Sequence, residues 1–246
     1  MTEWSPGQYE KFKAERSQPF WDLVALIDPR PNMRIADLGC GTGELTRAMH
    51  EKLGARETLG IDNSATMLAK APSAPGFRFR QQSIEDFNDS GFDLIFSNAA
   101  LHWLPGHERL FPRIARLGTQ LAVQMPANDD HPSHTTAADV ARELGMEVRP
   151  NSVLPPERYA ALLHELGFRK QHVRLQVYGH LLPSSEDVIE WVKGTLLTFY
   201  MHEPRFLDRY RERLLERIGV QRPYFYTYKR LLILGEDRVE GEHHRH

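Results

Sequence analysis

The chain has 246 residues, of which 41% are hydrophobic and 26% charged, and a formal net charge of -2. That length suits one large domain with a sizeable core, read here as residues 1–236, and so even a charge balance creates no global field toward nucleic acid or an anionic membrane. The single cysteine, Cys40, excludes an internal disulfide framework and a multi-cysteine zinc site. It fits a reducing cytoplasm. The start, "MTEWSPGQYEKFKAERSQPFW", lacks the basic and apolar regions of a signal peptide, and no apolar run approaches the roughly 20 residues that span a bilayer. A soluble, cytoplasmic monomer or homodimer without a metal is expected.

In chain order, residues 6–27 read as helix, with Tyr9, Phe12 and Arg16 at helical spacing and Pro19 expected to separate two helices. From residue 33 the pattern becomes short apolar strands alternating with helical stretches: "MRIADL", "GELTRAMHEKL", "ETLGID", "NSATMLAKA", "FRFRQQ", "FDLIFSN" and "LAVQMP". Strand and helix alternating over short loops predict an α/β fold, a Rossmann-like, doubly wound parallel sheet with right-handed crossovers. Residues 30–126 would form a ligand-binding core. The stretch 127–167 is proline-punctuated and helical, followed by strand-like "KQHVRLQVYG", two more helices and the strand "RPYFYTYKRLLILG", so that 127–222 reads as a helical insertion with a late strand. A short polar tail over 237–246, containing His243, His244 and His246, is expected to be disordered.

Within this pattern, Asp37-Leu38-Gly39-Cys40-Gly41-Thr42-Gly43 sits at the first strand-to-helix turn. Glycines there let the chain turn sharply and bring backbone N–H groups against a ligand with no Cβ in the way. A dinucleotide fingerprint needs G-x-G-x-x-G, but here the third position is Glu44, and a carboxylate there repels a diphosphate. Asp37 is placed to accept hydrogen bonds from an ammonium group. Asp62, at the end of the second strand, can accept both hydroxyls of a ribose. Asn63 and Met67 follow it as further contacts. Ser83 and the backbone of Ile84, after the third strand, can meet an adenine edge, and Asn98, Ala99, His102 and Trp103 follow the fourth strand, where open α/β sheets bind ligands.

Each signal has a plainer alternative. The glycines could only close a tight loop, Asp62 could only cap the next helix, Met67 could belong to the core, and His102 with Trp103 could form an ordinary capped turn. Their joint order and spacing favour one crevice and one zwitterionic nucleoside, S-adenosylmethionine, whose product is S-adenosylhomocysteine. A nicotinamide-dependent oxidoreductase fits the spacing poorly, and a binding protein that has lost catalysis is a further alternative.

"DLGCGTG" resembles the first motif of class I S-adenosylmethionine-dependent methyltransferases. Across nearly the full chain, "WSPGQYEKFKAERSQP", "GIDNSATMLAKA", "DLIFSNAALHWLPGHERLFPRI", "LAVQMPANDDHPSH", "IEWVKGT" and "KRLLILG" resemble the trans-aconitate methyltransferases among them. The resemblance implies a seven-stranded Rossmann-like domain with helical additions that methylates a carboxylate of a small polycarboxylic acid. It also marks three departures: Leu196-Leu197-Thr198-Phe199 stands where the family carries Gly-Leu-Arg-Pro, Ser83 replaces an aspartate, and an aromatic run at 224–228 precedes Lys229 and Arg230.

A carboxylate acceptor is already an anion at neutral pH, so methyl transfer needs positioners rather than a base. Candidates are His102, Trp103, Gln124, His131, His134, Tyr226 and Arg230. For a phenol or alcohol acceptor, His102 would be the base. In the N-terminal extension, Tyr9 could pack on the methionine part of the cofactor and Arg16 could pair with its carboxylate, or Arg16 could lie on a solvated helix face. His131 and His134 could equally be surface loop residues.

Overall fold

The computed structural model describes residues 17–238. Tyr9, Arg16 and the histidines of the tail lie outside the described residues. Residues 17–24 are helical, here α1, and Pro19 lies in its first described turn, while residues 6–16, and with them the expected division into two helices, lie outside the described residues. Phe20, Leu23, Val24 and Ile27 bury one face at helical spacing against the sheet.

The elements that follow are β1 (Arg34–Leu38), α2 (Glu44–Leu53), β2 (Glu57–Asp62), α3 (Ala65–Leu68), β3 (Phe77–Gln81), β4 (Phe92–Asn98), α4 (His107–Ala115) and β5 (Gly118–Pro126). After them come α5 (Pro132–Glu143), α6 (Pro156–Glu165), β6 (Phe168–Leu182), α7 (Asp187–Lys193), α8 (Phe206–Ile218) and β7 (Tyr224–Arg238). Short 3-10 turns occupy Leu101–Trp103 and Leu197–Tyr200. The helix expected over 63–71 is confined to α3, because Pro72 cannot continue an i to i−4 ladder and biases the preceding residue away from helix.

The strands form one seven-stranded sheet in the order β3-β2-β1-β4-β5-β7-β6. The pairs β1–β2, β1–β4, β2–β3 and β4–β5 are parallel. Strands of a parallel sheet covered on both faces read as unbroken apolar runs, and β1 and β4 are buried almost throughout. Strand order reverses between β1 and β4, the switch point at which an open α/β sheet leaves a crevice beyond its carboxyl ends.

The chain divides into two compact units. Among the described residues the first holds 17–126, Ser152–Leu175 and 231–238. Its core gathers Phe20, Leu23, Val24 and Ile27 of the N-terminal segment, Met33, Ile35, Met49, Leu94 and Phe96, and Leu232 and Leu234 of β7. β7 runs two residues into the span expected to be a tail. Asp237 pairs with Arg30 and Lys170 at 3.1 Å each, and the Arg238 guanidinium donates to the Ala115 carbonyl at 2.8 Å.

The second unit holds Ala127–Asn151 and Gln176–Arg230. In it α5 packs on α8, with the Tyr210 hydroxyl donating to the Ser133 carbonyl at 3.1 Å. The rings of Tyr200, Phe206 and Tyr210 stack in series, at 4.5 and 5.9 Å between centroids.

Candidate active site

In the first unit the chain leaves β1 at Leu38 and turns through residues 39–43 into α2. The amides of Gly39, Cys40, Gly41 and Gly43 are turned to acceptors within the protein. Gly39 and Cys40 both donate to the Ile61 carbonyl at 2.9 Å, Gly41 donates to Asp62 Oδ2 at 2.9 Å, and Gly43 donates to the Cys40 carbonyl at 3.0 Å. The end of β2 therefore takes up donors that the sequence pattern assigned to the ligand, since buried N–H groups must find acceptors. What the loop offers is bare backbone. Gly41, at φ +58°, would direct a Cβ into open space, whereas a Cβ on Gly39, at φ +81°, would lie 2.3 Å from the Ala100 methyl. Gly41 keeps the loop open and Gly39 lets it pack against the chain leaving β4.

Asp62 holds this loop. Its Oδ2 accepts from Gly41 and its Oδ1 from the Ser64 amide at 2.9 Å, and each carboxylate oxygen retains a further lone pair. It is not the cap of α3, because the Ser64 hydroxyl oxygen fills that role by accepting from the Met67 amide. Asn63 accepts a hydrogen bond from Gln81 at its backbone carbonyl. Met67 is 43% exposed and lies outside the core.

Asp37 is 4% exposed and accepts from the Thr46 hydroxyl at 2.6 Å. Among the described residues no Lys or Arg pairs with it. Burial pushes its carboxyl up to about 7, opposed by the Thr46 hydrogen bond and reinforced by the Asp62 charge. A buried carboxylate with an unused cation-binding capacity beside an open glycine fits the ammonium and nucleoside of S-adenosylmethionine. Cys40 does not compete for a chemical role, because burial and the charges of Asp37 and Asp62 push its thiol up and suppress the thiolate.

The Ser83 hydroxyl is engaged within its own turn. It donates to Asp86 Oδ2 at 2.7 Å and accepts from the Asp86 amide at 3.1 Å, a reciprocal local cap. The Ile84 side chain packs toward the glycine loop, its Cδ1 lying 3.6 Å from where a Gly39 Cβ would be. At the end of β4, Ala99 adopts φ 53° and donates to the Gln124 carbonyl at 2.9 Å. The Asn98 side-chain oxygen accepts from Gln124 Nε2 at 2.7 Å, and the buried Gln124 Oε1 has no partner. A strained non-glycine residue at the end of a strand is a frequent mark of a functional loop. Beyond it the 3-10 turn presents His102 and Trp103, rings 4.7 Å apart, with Trp103 half exposed.

In the second unit His131 and His134 lie at the start of α5, not in a surface loop. His131 caps the helix, its Nδ1 accepting from the Ser133 amide at 3.1 Å. The buried Ser133 hydroxyl contacts the Nδ1 atoms of His131 and His134, at 2.7 and 3.0 Å. Burial, with added repulsion from His131 and Arg149, lowers the His134 pKa to about 4, so its ring is neutral under ordinary conditions. On β7, the period of two puts Tyr226, Tyr228 and Arg230 on one face. The Arg230 guanidinium lies 5.2 Å over the Tyr228 ring, and its buried Nε has no acceptor. No carboxylate pairs with it among the described residues. Burial lowers its pKa, partly offset by the neighbouring tyrosines. Tyr226 is fully buried, with the His131 ring edge-on at 5.2 Å and Trp191 at 5.6 Å.

Sequence reasoning missed Thr46, Ala100, Arg149 and Trp191. A signal existed for Thr46, a polar residue placed with Met49 on the buried stripe of α2. The others depend on distant segments meeting.

Residues 35–119 match the model of a methyltransferase domain family. The trans-aconitate 2-methyltransferase of Deinococcus radiodurans is 43% identical over 252 aligned positions, covering 94% of this chain and 97% of that protein. The trans-aconitate 2-methyltransferase of Escherichia coli O1:K1 / APEC is 37% identical, covering 90% and 92%. Among solved structures, the YcgJ protein of Bacillus subtilis superposes with a TM-score of 0.58 at 16% identity, over 90% of this chain and 98% of that one. An S-adenosylmethionine-dependent methyltransferase of Mesorhizobium loti does so with a TM-score of 0.51 at 21% identity, over 91% and 100%. The structural likenesses establish the fold, and the curated relatives, aligned from end to end, establish the kinship. This chain belongs to the family of S-adenosylmethionine-dependent methyltransferases that includes the trans-aconitate 2-methyltransferases.

Proposed function

We propose that this methyltransferase esterifies a carboxylate of a small, trans-aconitate-like organic acid. The carrying observation is Arg230, a buried guanidinium whose Nε has no partner and which no carboxylate neutralises among the described residues. Leaving such a cation unpaired costs several kcal/mol, roughly what a bound anion would offset. The name shared by the curated relatives supports the same acceptor class.

S-adenosylmethionine, when bound, supplies a methyl group on a positively charged sulfur. The residues that would hold it are Asp62 with Asn63 at the ribose, Asp37 at the ammonium, the open backbone at Gly41, the Ile84 side chain at the base, and Met67, Asn98 and Ala99 around them. In the first unit His102 and Trp103 are the candidates to orient an acceptor, with Gln124 holding the turn that carries them; in the second, Arg230 and Tyr226 are the candidates to bind a carboxylate. His134 stays neutral above about pH 4 and would offer the acceptor a hydrogen bond rather than a charge. No proton has to leave a carboxylate, so this chain's contribution is alignment and exclusion of water. Orientation of that kind is worth about 7–11 kcal/mol.

The test is S-adenosylhomocysteine release over a panel of tri-, di- and monocarboxylates and phenols, with wild type and Arg230→Gln. Turnover of carboxylates, with KM for the acid raised at least tenfold in the variant, is expected. Turnover of phenols alone would overturn the reading and make His102 a base. We place the enzyme in the cytoplasm as a monomer or homodimer, which sedimentation of the purified chain would resolve.

A further inference from the structure

We infer that His107 and Tyr159 are positioning residues for methyl transfer: a buried, directional hydrogen-bond relay that fixes the turn presenting His102 and Trp103. The inference rests on the reading above that this turn touches the acceptor.

The proton positions follow from the partners. The Leu154 amide donates to the Tyr159 hydroxyl oxygen at 3.0 Å, so that oxygen is already an acceptor. Its own proton goes to His107 Nδ1, 2.5 Å away. The Leu101 carbonyl, 3.0 Å from Nε2, can only accept, so the proton of the neutral ring is on Nε2 and Nδ1 carries the lone pair that takes the tyrosine proton. Burial disfavours the charged ring. The Leu101 carbonyl also accepts from the Leu104 amide at 2.9 Å, the bond that closes the 3-10 turn. Both of its lone pairs are thus engaged, one by the turn itself and one by His107.

Neither side chain is needed there for bulk. His107 is 1% exposed, Tyr159 is fully buried, and Phe111 lies against both rings at 5.6 and 4.7 Å. Two apolar rings would fill this space equally well. A polar chain in such surroundings persists only when every member is satisfied, and a satisfied chain permits one geometry where apolar packing permits several. The single geometry is handed to the residues on either side of Leu101. Before it, the Ala100 methyl abuts Gly39 of the glycine loop. After it come His102 and Trp103.

Tyr159→Phe keeps the ring and removes the proton that orients His107. Its kcat for the acceptor should fall at least tenfold, while Kd for S-adenosylhomocysteine stays within twofold and the Trp103 indole N–H resonance, assigned with Trp103→Phe, shifts. His107→Gly should lose turnover similarly and regain it when imidazole is added. Phe111→Leu, which loosens the same packing without touching the relay, should keep kcat within threefold of wild type. Equal loss of kcat in Phe111→Leu and Tyr159→Phe, or no recovery with imidazole, would overturn the inference by reducing the pair to core packing. Should the wild type methylate no acid, the functional reading fails. The relay is then still judged by the Trp103 resonance, and an unmoved resonance in Tyr159→Phe refutes it.

Discussion

Replacing Asp37 with asparagine should remove a pH dependence of stability that the fold imposes. In the folded, ligand-free protein burial raises this carboxyl from 3.8 to about 7. Between those values the unfolded chain has lost the proton and the folded chain retains it. Stability from this group is therefore complete below about pH 4 and is lost as pH rises through 7. A rise of that size corresponds to about 4 kcal/mol in all, of which about 3 kcal/mol falls between pH 5 and pH 8. Asparagine keeps the hydrogen bond, since its amide oxygen accepts from Thr46, but has no proton to lose. Urea denaturation at pH 5, 6, 7 and 8 should show wild type losing about 3 kcal/mol relative to Asp37→Asn. A cofactor ammonium prefers the ionised carboxylate, so wild-type affinity for S-adenosylhomocysteine should strengthen as pH approaches 7 and the variant should lack that gain. Parallel stability curves for the two proteins would refute the reasoning, because Asp37 would then be ionised throughout or hydrated.

Other perturbations test neighbouring parts. Asp62→Ala removes the acceptor proposed for the ribose hydroxyls and also frees the Gly41 and Ser64 amides that order the loop, and with hydrogen bonds to a charged group worth roughly 1.5–3 kcal/mol each, cofactor affinity measured by calorimetry should drop at least tenfold. Gly39→Ala forces a methyl against the Ala100 side chain at φ +81°, so thermal unfolding should show a loss of about 1–3 kcal/mol. His134→Gln acts at the acid end: the folded histidine resists protonation down to about 4 while the unfolded one accepts it near 6.5, so its contribution is present above 6.5 and lost as pH falls through 4. Wild type should lose about 3 kcal/mol relative to the variant over that range, read by denaturation at pH 4 and pH 7.

The local chemistry of the first unit was legible in the sequence because each signal acts within a few residues. Glycines after an apolar run require a tight strand-to-helix turn, an acidic residue at the next strand end can reach back to it, and apolar runs at short loop lengths leave little choice but a parallel sheet. The resemblance supplied the strand number and the acceptor class. Tertiary structure decided which partner each polar atom takes. The loop amides turn to Ile61 and Asp62 because β2 lies beside β1, the Ser83 hydroxyl closes on Asp86, and Asp37 acquires its raised pKa only once the sheet and α2 exclude water. The clearest case is the chain from Leu154 through Tyr159 and His107 to Leu101, whose members are separated by 5, 52 and 6 residues. A hydrogen bond acts over about 3 Å in space and has no periodicity along the chain, so only the folded arrangement of α4 and α6 could bring those atoms together.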